Sequence, residues 1–212
     1  MDGTVRRSEE SPVSRRRGAL DAEAWIDAAL AELASPGVDG VRVEVLAKRL
    51  GVTKGSFYWH FKDRDALLAM TLERWRRRAT LALIERIDRG AMTPAERLRQ
   101  ILQLPFRGRR AAQAASVELA VRLWGRGDPR ARVTLEEVDE LRLRYISQVF
   151  VDAGAPADEA RARAILAYAY QQAGAALTQG EDDAELLRQI ENLLIPGADD
   201  QPALDELALQ QP

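Results

Sequence analysis

Leu46-Ala47-Lys48-Arg49-Leu50-Gly51-Val52-Thr53-Lys54-Gly55-Ser56-Phe57-Tyr58-Trp59-His60-Phe61-Lys62 decides the fold of this 212-residue chain. A short helix with Val43, Leu46, Ala47 and Leu50 inward stops at Gly51, where a glycine with positive φ is expected as the cap. Thr53 then opens a second short helix, its hydroxyl placed to accept from the N–H of Ser56. Val52 before that cap and Phe57 after it make a hydrophobic staple that fixes the entry angle of the chain. At about 100° per residue, Phe57 and Phe61 face the core, Gly55 and Trp59 point away, Ser56 and Tyr58 flank them, and His60 borders the core face.

Outward from this stretch the pattern is helical throughout. Trp25, Ile26, Ala29, Leu30 and Leu33 recur at steps of three and four, predicting a helix over 21–35 that Pro36-Gly37 ends. Asp63 caps a long helix running through Leu68, Leu72, Trp75, Ala79 and Leu83 to about Arg89. Thr93-Pro94-Ala95-Glu96 is a capping box with proline at the first helical position. Further helices are expected over about 110–124, 129–153, 156–178 and 183–194, each bounded by Gly, Pro or Asp. The expected fold is all-α, with about nine helices. It divides into a basic, disordered arm over 1–18, a three-helix helix-turn-helix head over 19–64, a helical body over 65–196 and a tail over 197–212.

Composition agrees and narrows the function classes. Hydrophobic residues are 46% and charged residues 30%, with few aromatics, which favours packed helices over sheet. There is no cysteine, which excludes disulfides, iron–sulfur clusters and thiolate zinc sites and fits a reducing, cytoplasmic setting. No apolar run reaches the roughly 18–20 residues that a membrane span needs, so no membrane partner is expected. The arginines of 6–7 and 15–17 precede no apolar stretch, so the N-terminus does not read as a signal peptide. The arm is either a solvated tail or a contact for phosphate or the minor groove. An enzyme would need a nucleophile with its base, a metal cluster or a phosphate loop. The single histidine lies in the quoted stretch and no Gly-rich phosphate motif occurs. No cofactor or metal is expected.

The net charge of −2 hides an asymmetry. Residues 1–78 hold 15 Lys+Arg against 12 Asp+Glu, and residues 79–212 hold 16 against 21. The cationic excess lies in the half that carries the quoted stretch. A short helix presenting hydroxyls, aromatics and cations behind a glycine turn is how a recognition helix is offered to the DNA major groove. Each residue also has a plainer reading. Lys54 near a helix start is poor for folding; it meets a phosphate or guanine, or is merely solvated. Gly55 costs up to about 1 kcal/mol relative to alanine in a helix; it admits DNA backbone, or a tight helix crossing. Ser56 suits a base edge or phosphate, or is a surface serine. Trp59 meets a thymine methyl or a sugar, or packs on a neighbouring helix. Tyr58 and His60 grip phosphate with their polar tips, although His60 fits the core edge equally well. Lys62 follows as a phosphate contact.

The run Leu46-Ala47, Gly51-Val52-Thr53, Gly55-Ser56-Phe57-Tyr58, His60-Phe61 and Leu67-Leu68 resembles the N-terminal domain of the tetracycline-repressor-like (TetR) family of regulators, over roughly residues 20–70. The resemblance implies a DNA-binding head joined by the fourth helix to a body that pairs with itself and holds a small effector. The residues that match the family's DNA-contacting positions are Thr53, Lys54, Ser56, Tyr58, His60 and Lys62; Arg42, Val43, Gly55 and Trp59 complete the expected contact set. The family often has threonine where the second helix begins; here that position is Arg42, which cannot cap but can bind phosphate. The implied function is a transcriptional repressor released from a palindromic operator by a small molecule, with a helical dimeric adaptor as the alternative.

In the body, Ala160, Ala164, Ala167 and Gly174 lie near one side of a helix, and Leu187, Ile190 and Leu194 form a stripe on the next. Paired with their symmetry mates they would make a four-helix bundle; otherwise they close the chain's own core. Leu102, Phe106, Val117, Val121, Trp124, Tyr145, Val149, Tyr168 and Gln171 are candidates to line an effector cavity, or are plain core.

Overall fold

The computed structural model describes residues 21–88, 90–104, 109–177 and 184–195, and every regular element among them is helical. The head consists of α1 (Ala22–Leu33), α2 (Val43–Leu50) and α3 (Lys54–Tyr58), with one 3-10 turn at Val38–Gly40. The body is built from α4 (Arg64–Arg76), α5 (Ala82–Asp88), α6 (Pro94–Gln103), α7 (Arg109–Gly125), α8 (Pro129–Asp152), α9 (Ala157–Leu177) and α10 (Ala184–Leu194). A π-helical turn, Arg77–Leu81, joins α4 to α5, so residues 64–88 form one rod. The arm and the tail lie outside the described residues.

The helix ends follow local chemistry. The Asp21 carboxylate accepts from the N–H of Ala24 at 3.0 Å, and that of Asp63 from Ala66 at 2.8 Å. The Thr93–Glu96 box closes as read, Glu96 accepting from the Thr93 N–H at 2.6 Å. Asp128 accepts from the Arg130 N–H at 2.8 Å and from Trp124 Nε1 at 3.2 Å, fixing the turn between α7 and α8. Gly51 has φ of 68° and caps α2, a left-handed conformation that L side chains rarely adopt. The sequence predicts one plain helix over the rod; the π turn within it is a departure that periodicity does not reveal.

Two cores hold these helices. The first joins Trp25, Ile26 and Leu33 of α1 to Leu46, Phe57, Leu67 and Leu72, and continues into Val117, Val121 and Trp124 of α7 and Val138 of α8. The second gathers Ile87, Leu98, Ile101 and Leu102 with Ile146, Val149 and Phe150 of α8 and the alanines of α9. Ala160, Ala164 and Ala167 are buried in this second core. Their small side chains let α9 approach α8 of the same chain, so the expectation that they form an intersubunit face is corrected. Leu194 packs on the same core, and Leu187 and Ile190 are half-buried. Gly174 is on α9, but its surroundings lie outside the described residues. Among the described residues, the large apolar side chains that α9 and α10 leave exposed are Ile165, Leu166 and Leu193.

Candidate nucleic-acid interface

Aromatic packing aims α3 outward. Phe57 is fully buried, edge-on to Trp25 with centroids 5.3 Å apart and stacked on Phe61 at 5.3 Å. Phe61 also closes an i→i−4 bond, its N–H donating to the Phe57 carbonyl at 3.0 Å. Helical phase therefore persists past Tyr58, although α3 itself ends there. With Phe57 and Phe61 locked inside, no described residue covers the side that carries Tyr58 and Trp59. Trp59 is 88% exposed and Tyr58 64%. Packing of Trp59 on a neighbouring helix is thereby excluded.

The remaining contact candidates sort cleanly. Lys54, Gly55, His60 and Lys62 are exposed and Ser56 is half-exposed. A Cβ built on Gly55 would meet only the Thr53 hydroxyl, at 3.6 Å, so no tight helix crossing explains that glycine. His60 does not border the core as its phase suggested; it lies in the turn after α3 with its ring edge-on to Phe61 at 6.4 Å. Thr53 stands at the cap position, but its hydroxyl makes no capping bond; the Ser56 N–H donates to its carbonyl at 3.1 Å. The hydroxyl is left at the surface. Val43 is half-buried and packs against the first core. Arg42 is exposed before α2 with no capping role.

Lys54 is not simply solvated. Its ammonium donates to Glu44 Oε1 at 2.7 Å, and that hydrogen bond holds the Glu44 carboxyl below its usual range. Both side chains are largely exposed, and such a pair contributes little to stability. Exchanging Glu44 for a phosphate therefore costs the fold almost nothing. Arg64 braces the entry to α2, donating to the carbonyls of Val41 at 2.6 Å and Val38 at 2.5 Å.

In the body, the expected effector residues separate. Tyr145 and Gln171 line a pocket of about 20 Å³ with Ala79, Thr80, Ile84, Ile87, Ile101, Leu104, Arg142 and Ile146. Leu102 and Val149 are sealed in the second core, and Val117 and Val121 in the first. Trp124 belongs to the first core and borders a separate, open cleft of about 170 Å³ beside α4. Phe106 lies outside the described residues. Tyr168 is committed to a polar cluster: its hydroxyl donates to Asp139 at 2.6 Å and accepts from Arg142 at 2.7 Å and Arg122 at 2.9 Å. Burial pushes the Tyr168 phenol above its usual range, which keeps it a donor to Asp139.

Sequence reasoning named only Tyr168 of this cluster and missed Arg142, Glu118, Arg122 and Asp139. The Arg142 guanidinium donates to both oxygens of Glu118, at 3.0 and 3.1 Å, and to the Ala79 carbonyl at 2.9 Å. A signal existed: the buried stripe Val138, Ile146, Val149 of α8 has position 142 at its centre, one turn from both 138 and 146. A cation there must have a buried partner.

A three-helix head with an outward aromatic and cationic recognition helix, carried on a helical body, defines the helix-turn-helix class of DNA-binding protein. Residues 26–70 match the domain family described as bacterial regulatory proteins, tetR family. The chain is 31% identical over 196 residues to the class C tetracycline repressor protein of Escherichia coli, covering 90% of this chain and 80% of that one. The chain belongs to the TetR family. The class D repressor of Escherichia coli is 45% identical over 49 residues, 23% of this chain, and that match spans only 22% of the relative's own length. A crystal structure of a transcriptional regulator from Rhodococcus sp. Rha1 matches with a TM-score of 0.67 at 25% identity, over 86% of this chain and 100% of that one. No described helix is long and apolar enough to cross a membrane.

Proposed function

We propose that the protein is a sequence-specific, cytoplasmic transcriptional regulator, a repressor that leaves a palindromic operator when a small molecule enters its body. The observation that carries this reading is the outward face of α3, where Tyr58 and Trp59 stand in solvent beside Lys54, Ser56 and the uncapped Thr53 hydroxyl. A solvent-facing tryptophan on a rigidly braced turn makes sense when a partner covers it. A helical adaptor needs no such cationic, hydroxyl-bearing face. Duplexes selected from a random pool by the purified chain should be palindromic, and binding should weaken steeply with salt. Lys54→Ala should weaken binding to all duplexes and reduce the salt slope by about one. Tyr58→Ala should weaken binding to the selected duplex roughly tenfold, the scale of one contact of about 1–3 kcal/mol. Fluorescence anisotropy showing both variants at parental affinity would remove α3 from the interface.

A palindrome requires a two-fold dimer. Ile165 and Leu166 on α9 and Leu193 on α10 supply its apolar face. Arg163 donates to the Leu194 carbonyl at 2.8 Å and so ties the end of α10 to α9. Ile165→Asp with Leu166→Asp is expected to halve the mass seen by light scattering while helicity persists. An unchanged mass would place the dimer elsewhere.

A further inference from the structure

The π turn Arg77–Leu81 has an unmet polar demand that DNA binding does not use. Thr80 is 1% exposed and its hydroxyl has no hydrogen-bond partner. Helical threonines elsewhere in the chain bond back one turn: Thr71 to the Leu67 carbonyl at 2.8 Å and Thr134 to that of Arg130 at 3.0 Å. Thr80 does not, and it lines the 20 Å³ pocket instead. Arg142 lines the same pocket, and its Nε–H is also buried without a partner. Buried polar groups are nearly always bonded, so two unmet groups on residues that line one pocket call for a partner there.

Their chemistry restricts that partner. The Arg142 Nε–H can only donate, and the Thr80 hydroxyl can donate, so the missing partner is an oxygen acceptor. The charges nearby already balance: Arg122 and Arg142 against Glu118 and Asp139. An ionised ligand would leave a buried charge uncompensated. The rest of the wall is mostly apolar, with Ala79, Ile84, Ile87, Ile101, Leu104 and Ile146, and Tyr145 and Gln171 complete it. We infer that this pocket takes a small, neutral, largely apolar molecule with one carbonyl-type oxygen, held by the Thr80 hydroxyl and the Arg142 Nε–H. The inference rests on the effector reading above and names its ligand class. A pocket of this size holds about one water, so entry must displace the π turn. Arg142 ties that turn through the Ala79 carbonyl, and the rod it belongs to carries the head. Single π turns inside α-helices recur at functional sites.

The test uses the full-length chain without DNA and three probes of equal length: 2-heptanone, heptanoate and heptylammonium. Binding is followed by amide NMR shifts of residues 77–81 and by thermal shift. The ketone should bind best and move those amides. Thr80→Val, which keeps shape and removes the hydroxyl, should lose roughly tenfold in ketone affinity, and Thr80→Ser should restore it. Heptanoate or heptylammonium binding as well as the ketone, no ketone binding, or an unchanged Thr80→Val would each overturn the assignment. Ketone binding that depends on Thr80, in a chain that binds no selected duplex, would instead overturn the DNA reading and leave this site standing.

Discussion

Arg142→Met is expected to destabilise the protein by about 3–5 kcal/mol, the range for removing one partner of a buried ion pair. Arg142 is only 11% exposed, and its guanidinium carries four of the cluster's hydrogen bonds, to Glu118, Tyr168 and the Ala79 carbonyl. Methionine fills most of the volume but leaves the Glu118 carboxylate buried, with Arg122 as its remaining partner at 2.9 Å. Adding Glu118→Leu should recover much of the loss, because an apolar pair in place of a buried ionic one is often neutral or better. Urea unfolding at fixed protein concentration checks both variants. If the single variant costs less than about 1 kcal/mol, the scale of an exposed pair, the cluster is effectively solvated and not structural. Because Arg142 holds the π turn, the amides of 77–81 in Arg142→Met should also exchange faster than those of α6.

Phe57→Ala is expected to cost a similar amount, about 3–5 kcal/mol, as large-to-small changes of buried aromatics do. Its ring is the hub between Trp25 and Phe61, so the cavity opens beneath the outward face of α3. Duplex binding should fall far more than in Tyr58→Ala, since orientation of the whole element is lost rather than one contact. Circular dichroism with anisotropy on the same sample separates the two effects. Retained binding in a destabilised chain would show that the backbone of 51–56 alone sets the reading geometry.

The head was legible in the sequence because its determinants are local. Gly51, the Phe57/Phe61 spacing and the Asp63 cap act within a turn or two, and each fell where the residues put it. The Thr53 hydroxyl makes no capping bond although its residue type and position predict one, since the rotamer that such a bond needs is not set by residue type alone. The body was less legible. An alanine stripe such as 160, 164, 167 says that a helix comes close, but not whether that helix belongs to the same chain. The effector set suffered likewise: apolar positions at helical spacing look alike whether they face a cavity or another side chain. Thr80 and Arg142 line one pocket from different helical elements, and the π turn that carries Thr80 has no periodic signature.

Because Trp25 and Leu46 share a continuous interior with Val121 and Val138, the reading unit has no floor of its own. Grafting residues 21–63 onto a relative would expose raw apolar surface unless the positions equivalent to 117, 121 and 124 travelled with them. Hybrid regulators built at the α3–α4 junction should therefore aggregate, and those that also transplant the matching side of α7 should remain monodisperse.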